Sequence, residues 1–128
     1  MKISKKSQYG LRSMIYLAKR DRRTPFSLKD ISKAELIPFN YLEKIFSELE
    51  KAGLVKSRKG RLGGYFLSRD PLKITVVEII EALEGKISLI ECKGCRKAEK
   101  CKAKSAWDEL HKAFYSTLKS INLSKLAK

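Results

Sequence analysis

Three cysteines fall within one stretch of ten residues, Cys92, Cys95 and Cys101, in the spacing Cys-x2-Cys-x5-Cys. Thiolates are soft ligands that suit iron–sulfur clusters, zinc or copper(I). Lys93-Gly94 between the first two can bend so that their sulfurs converge, and Lys93, Arg96, Lys97, Lys100 and Lys102 surround the set. Nearby positive charge favours a thiolate over a thiol. That serves ligation of a negatively charged cluster and oxidation of a sensor thiol equally well, so both chemistries stay open, beside structural zinc and inert cysteines. Structural zinc normally takes four protein ligands, and only three thiols are present. A secreted disulfide scaffold does not fit, because the count is odd and the cysteines are clustered rather than spread. His111 is the only histidine. If the last helix begins near Ala103, His111 lies about 12 Å along its axis at 1.5 Å per residue, which makes it a surface residue rather than a fourth ligand.

A second group of residues suits a polyanion. The formal charge is +15, and residues 1–70 carry 17 Lys and Arg against 7 Asp and Glu, so the N-terminal half holds most of the excess. Like charges at this density repel one another unless a partner neutralises them, and nucleic acid is the first candidate partner, ahead of an anionic membrane surface. Within that half, Leu42, Ile45, Phe46 and Leu49 recur at i, i+3, i+4 and i+7, which predicts an amphipathic helix starting near Pro38 and stopping at Gly53. With those four buried, Asn40, Tyr41, Glu43, Lys44 and Ser47 face outward near the helix start. Asn can read adenine, Glu can accept from cytosine, and Tyr or Ser can hold phosphate. Lys56, Arg58, Lys59 and Arg61 flank a tip whose Gly60, Gly63 and Gly64 permit close approach to a nucleic-acid backbone or a minor groove.

The elements that must position these residues follow from periodicity and punctuation. A first helix is predicted over 7–19, with Leu11, Met14, Ile15 and Ala18 on one face. Ser27 caps a short second helix carrying Leu28 and Ile31, and Pro38 falls in the first turn of the third. Two short β-prone runs, 54–58 and 65–67, flank the glycine tip as a hairpin. Thr75 followed by Glu78 is a capping-box pattern opening a helix with Val76, Ile79, Ile80 and Leu83, stopped at Gly85. Trp107, Leu110, Phe114, Leu118 and Ile121 form a last helical stripe that runs into a frayed, lysine-rich end. Helix, short helix, turn, amphipathic helix and hairpin is the order of a winged helix-turn-helix, in which the third helix offers its outward face to a major groove.

The expected fold is therefore mainly α with a small β-wing, divided into a winged DNA-binding domain at 1–70, a connecting helix at 71–90, a cysteine loop at 91–102, and a dimerisation helix and tail at 103–128. The stripe from Trp107 to Ile121 exceeds what a winged domain needs to cover, so burying it against a second copy is the expected use. A two-fold dimer calls for a pseudo-palindromic operator in double-stranded DNA. At 128 residues and 43% apolar content the chain can form a core, and the 34% charged content does not signal disorder. No apolar run approaches the roughly 20 residues that cross a bilayer, and the basic start lacks a signal peptide's apolar stretch. A cytoplasmic, non-membrane protein is expected. No paired acid and base, phosphate loop or nucleophile elbow points to an enzyme, leaving an iron–sulfur or thiol oxidoreductase as the enzymatic rival.

Four segments together resemble the Rrf-two family of transcriptional regulators: Ser27-Leu28-Lys29-Asp30-Ile31-Ser32, Tyr41-Leu42-Glu43-Lys44-Ile45-Phe46, Gly53-Leu54-Val55 and Gly60-Arg61-Leu62-Gly63-Gly64-Tyr65. The resemblance covers nearly the whole chain. It implies a homodimeric winged-helix transcription factor, often with an iron–sulfur cluster between the fourth helix and a long dimerisation helix. By the same resemblance Asn40, Tyr41 and Glu43 match recognition-helix positions, and Arg58, Gly60, Arg61 and Gly63 match the wing. Ser27, Lys44 and Lys59 complete the expected DNA-contact set. Family members draw a fourth cluster ligand from residue 8 of the partner's first helix or from just after the third cysteine. Here those positions hold Gln8 and Lys104, neither a good iron ligand. A 4Fe–4S cluster on three cysteines with a labile fourth site is accordingly favoured over 2Fe–2S, with a thiol-based or cysteine-metabolism regulator lacking a cluster as the alternative.

Overall fold

A computed structural model describes residues 2–128 of the chain. Its elements are α1 (Lys5–Ala18), α2 (Leu28–Glu35), α3 (Phe39–Lys51), β1 (Val55–Arg58), β2 (Gly64–Leu67), a 3-10 turn (Pro71–Lys73), α4 (Val76–Glu84), α5 (Lys104–Ser120) and α6 (Leu123–Leu126). This is the expected helical protein with a two-stranded antiparallel wing.

Local chemistry sets most of the boundaries. The Ser4 and Ser27 hydroxyls accept the backbone N–H groups of Ser7 and Asp30, both at 3.1 Å, and so cap α1 and α2. Thr75 and Glu78 form the reciprocal capping box at the start of α4. Pro38 stands one position earlier than expected, as the N-cap of α3 with extended ψ. The turn before it is made by Leu36, whose left-handed φ of 55° ends α2 and aims the chain toward α3.

One hydrophobic core lies under α3. Leu42, Ile45, Phe46 and Leu49 are fully buried against Met14 and Leu17 of α1, Ile31 of α2, and Val55 and Leu67 of the wing. Helix α4 joins the same core through Ile79 and Leu83. Its approach to α1 is close: a Cβ on Gly10 would overlap the Leu83 side chain, and Ile45 of α3 lies just beyond. Glycine inside a helix costs roughly 0.5–1 kcal/mol, and here that cost allows three helices to meet.

Two features lie outside the sequence reading. The end of the chain is not frayed. After α5 it turns back, Val76 N–H donates to Ile121 O and Leu123 N–H to Ile74 O, both at 2.9 Å, and Leu123 is fully buried in the core. Phe26, just ahead of α2, pairs with Tyr65 of β2 through two backbone hydrogen bonds of 2.9 and 2.8 Å, adding a one-residue third strand to the wing. No described helix is long and apolar enough to cross a membrane.

Helix α1 is held at its N-terminus by the last residue of α4. Glu84 accepts hydrogen bonds from the hydroxyls of Ser4 and Ser7, and Ser7 is buried. These two bonds hold the Glu84 carboxyl below its ordinary value of about 4.5, against a smaller opposing effect of burial. The carboxylate also faces the positive end of the helix dipole. A lowered folded-state pKa means stabilisation that is fully present above pH 4.5 and is lost as pH falls through the folded value. Glu84→Gln should therefore destabilise the protein only slightly at neutral pH, since Glu84 is exposed and solvent screens its interactions, and the difference from the parent should shrink as urea titrations are carried to lower pH.

Candidate nucleic-acid interface and cysteine loop

Helix α3 divides as its pattern requires. Asn40, Tyr41, Glu43, Lys44 and Ser47 are all exposed, opposite the four buried core residues. Tyr41 is steadied edge-on against Tyr9 of α1, with ring centroids 5.4 Å apart. Lys6 of α1 pairs with Glu48 of α3 at 2.7 Å, so the first helix is tied to the exposed side of the third by an ion pair and an aromatic contact. Asn40, Tyr41 and Lys44, with Lys6, line one shallow hollow at the start of α3.

The wing presents its cations as the sequence suggests. Lys59, Gly60, Arg61 and Leu62 form the exposed tip, with Leu62 at 87% of full exposure, and Gly63 N–H donates to Gly60 O at 3.1 Å to close the turn. Arg58 lies over the Phe66 ring at 5.6 Å. Gly64 has a φ of +151°, and a Cβ there would overlap the Phe26 carbonyl next to Ser27. Ser27 thus sits where the wing meets α2, its oxygen occupied in capping and its hydroxyl hydrogen free to donate. Tyr65 packs on Phe46 beneath α3, and burial, with the negative charges of Glu50 and Glu43, pushes its phenol up from 10, so it stays neutral under any working condition.

The cysteine segment behaves differently. Cys92 and Cys101 are half-buried, Cys95 is exposed, and all three are free thiols. Cys92 and Cys95 share a turn closed by Cys95 N–H donating to Cys92 O at 3.0 Å, with Gly94 at a left-handed φ of 83°. Lys104 N–H reaches back to Cys101 O at 3.3 Å and so ties the third cysteine to the start of α5. Among the described residues no three His, Cys, Asp or Glu side chains are gathered into a group able to hold a metal ion. Three thiols match an iron–sulfur cluster in chemistry, but a single chain neither completes the ligand set nor brings it together. His111 is half-buried rather than fully on the surface. It stacks on Tyr115 and shares a hollow with Glu81 and Lys86, a setting that includes no cysteine.

Helix α5 leaves its stripe uncovered. None of its residues is buried; Trp107 and Leu110 are 41% and 39% exposed, and Phe114 and Leu118 are half-buried. Ile121 lies just past the end of the helix, half-buried where the chain turns back to α4.

A family model described as Rrf2, iron-dependent transcriptional regulator, matches residues 3–128. The chain belongs to the Rrf2 family. It is a transcriptional regulator of that family, and its relatives are regulators bearing DNA-binding folds rather than enzymes. The regulator IscR of Xenorhabdus nematophila is 36% identical over 131 residues, which span all of this chain and 80% of the relative. The regulator CymR of Bacillus subtilis is 42% identical over 127 residues, which span 99% of this chain and 90% of CymR. The solved structure of B. subtilis CymR, described as a global cysteine regulator, superposes with a TM-score of 0.86 at 40% identity, covering 99% of this chain and 96% of that one. The resemblance read from four sequence segments and the winged-helix fold are both correct.

The Rrf2 wing of this chain needs glycine at position 64, where it meets Phe26. Gly64→Ala should force Phe26 and Tyr65 apart and cost about 1–3 kcal/mol. Thermal unfolding with hydrogen exchange at the Phe26 and Tyr65 amides reads this out, and unchanged protection there would contradict the assignment.

Proposed function

We propose that this Rrf2-family chain acts in the cytoplasm as a homodimer on a pseudo-palindromic duplex, with α3 in the major groove and the wing tip on the backbone or minor groove of each half-site. The observation that carries the reading is the division of α3, fully buried on one side and polar on the other, beside a glycine-tipped basic hairpin. In this docking Asn40 and Glu43 read base edges. Ser27, Tyr41, Lys44 and Lys59 hold phosphates, and Arg58 and Arg61, set by Gly60 and Gly63, fix the register. The uncovered side of α5, with Trp107, Leu110, Phe114 and Leu118, supports the dimer, and Ile121 extends it past the helix end. Burial there removes apolar surface from water at about 25 cal/mol per Å². Half-sites then fall about one or two helical turns apart.

The cysteine loop is the sensing element of this reading. Cys92, Cys95 and Cys101 would hold an iron–sulfur cluster, 4Fe–4S in preference to 2Fe–2S, with the fourth position taken by a partner residue or an exchangeable molecule. Such a cluster supplies redox-active iron that responds to iron supply, oxidants or nitric oxide. The residues between loop and reading head are this chain's own: Gly85 hinges the loop to α4, Glu84 holds the start of α1, and α1 is tied to α3. A stimulus acts only through its differential affinity for the DNA-competent arrangement. A second reading, a thiol switch without a cluster, draws support from the ungathered cysteines and from the likeness to CymR, a global cysteine regulator.

Two experiments test these assignments. Arg61→Ala should weaken operator binding and lower the salt slope by about one, whereas Asn40→Ala should change sequence preference at a cost of about 1–3 kcal/mol; unaltered affinity in both variants contradicts the docking. Protein purified anaerobically and reconstituted with iron and sulfide should be brown, with sulfur-to-iron charge-transfer absorption that Cys92→Ser abolishes. Colourless protein with intact thiols would leave the thiol switch as the sensing chemistry.

A further inference from the structure

The wing has two unlike faces. Val55 and Leu67 are buried toward α3, Tyr65 packs on Phe46 at 4.9 Å, and Ser57 donates to Glu50 at 2.8 Å. Side chains alternate along a strand, so Lys56, Arg58 and Phe66 turn the other way, with Lys56 opposite Phe66 in register. The connection between α1 and α2 folds over that outer face. Arg22 fastens it there, donating to Ser68 O at 2.8 Å and to Leu67 O at 3.5 Å. The result is a hollow floored by Phe66 and ringed by Arg22, Arg23, Lys56 and Arg58, with Asp21 as its one acid.

This cluster is organised before any ligand arrives. Arg22 is held by two carbonyls and Arg58 by the Phe66 ring, so less side-chain entropy is lost when either meets an anion. Among the described residues Arg23, Lys56 and Arg58 make no ion pair, whereas Lys6, Arg12 and Arg69 each do. With Lys59 and Arg61 at the tip, positive charge runs unbroken from the tip of the hairpin to its base. The half-site docking proposed above uses α3 and the tip; it makes no use of Arg22, Arg23 or Lys56.

We infer that this outer face of the wing takes backbone phosphates of the duplex flanking each half-site, so that DNA is held along the side of the wing as well as at its tip. The inference rests on the reading of the chain as a duplex-binding regulator. Two residues apart on one face of β1, Lys56 and Arg58 stand about 7 Å apart along the strand, so each can meet a different phosphate of one DNA strand. Contacts made to phosphates rather than to base edges add affinity without direct sequence information. Reaching this face bends the flank toward the protein, and the neutralised phosphates offset that deformation.

The test compares two duplexes. One is selected in vitro from a randomised pool of about 30 bp, enough for two half-sites; the other carries the same core extended by about one helical turn of arbitrary sequence on each side. Wild-type protein should bind the extended duplex about tenfold more tightly, with a salt slope steeper by about two for each wing engaged. Arg23→Gln with Lys56→Gln should bind the short duplex as wild type does and lose the gain from extension. Lys73→Gln with Lys125→Gln, the same charge loss away from the wing, should keep it. A wild type indifferent to duplex length overturns the inference. So does a wing variant that keeps the gain or weakens equally on both duplexes. Failure of wild type to bind any selected duplex would instead remove the DNA reading itself, which separates the two failures.

Discussion

The structure depends on how closely α1, α3 and α4 can approach one another. Gly10 is the point where they meet: Leu83 of α4 occupies the volume a side chain would need, with Ile45 of α3 behind it. Interiors packed to crystal-like density transmit displacement rather than absorb it. The tight crossing therefore makes α4 part of the body that carries α3 instead of a connector beside it. The Glu84 clasp on Ser4 and Ser7 secures the same pair of helices about one turn nearer the start of α1. Beyond Gly85 the chain runs on from α4 to the cysteine segment, so the sensing role proposed for that segment would act next to this tightly packed crossing.

The charge distribution follows the same division. The inner side of α3 and the wing is closed by apolar burial, and ion pairs such as Lys6 with Glu48 and Arg69 with Glu78 are used between elements. Exposed pairs of this kind contribute little to stability. Their consequence lies elsewhere: they occupy Lys6 and Arg69, while the cations of the wing have no acidic partner among the described residues. The positive potential of the hairpin is thereby left uncompensated, where it can act on a polyanion at a distance.

How much of this was legible in the sequence depends on how local each cause is. The α3 period, the Thr75–Glu78 box, the Gly53 and Gly85 stops and the hairpin all arise from neighbours a few residues apart, and a sequence displays them directly. Gly10 reads as a weak spot in a helix until Leu83 is seen to need its space. Leu123 reads as part of a solvated tail, because its burial depends on backbone hydrogen bonds from Leu123 to Ile74 and from Val76 to Ile121, between positions more than forty residues apart. The Phe26–Tyr65 bridge and the Arg22 anchor are hidden for the same reason. At the candidate site, the outward residues of α3 and the tip cations were legible because amphipathic period and glycine spacing mark them. The cysteines were visible as a motif, yet what they hold was not, since Cys92 and Cys95 share a turn while Cys101 lies at the start of α5, and the local pattern encodes no further donor.

The bridge between Phe26 and Tyr65 has a mechanical meaning. It welds the hairpin to the residue that leads into α2, so in the proposed dimer a hairpin that pivots must carry the start of its α2 with it. Each half of that proposed pair would then move as one block, leaving the gap and the relative rotation between blocks as its soft coordinates. A stimulus arriving at the sulfur-bearing segment would then be expressed as a change of helical phase between two fixed stamps, and a target would be distinguished by the number of base pairs separating its halves.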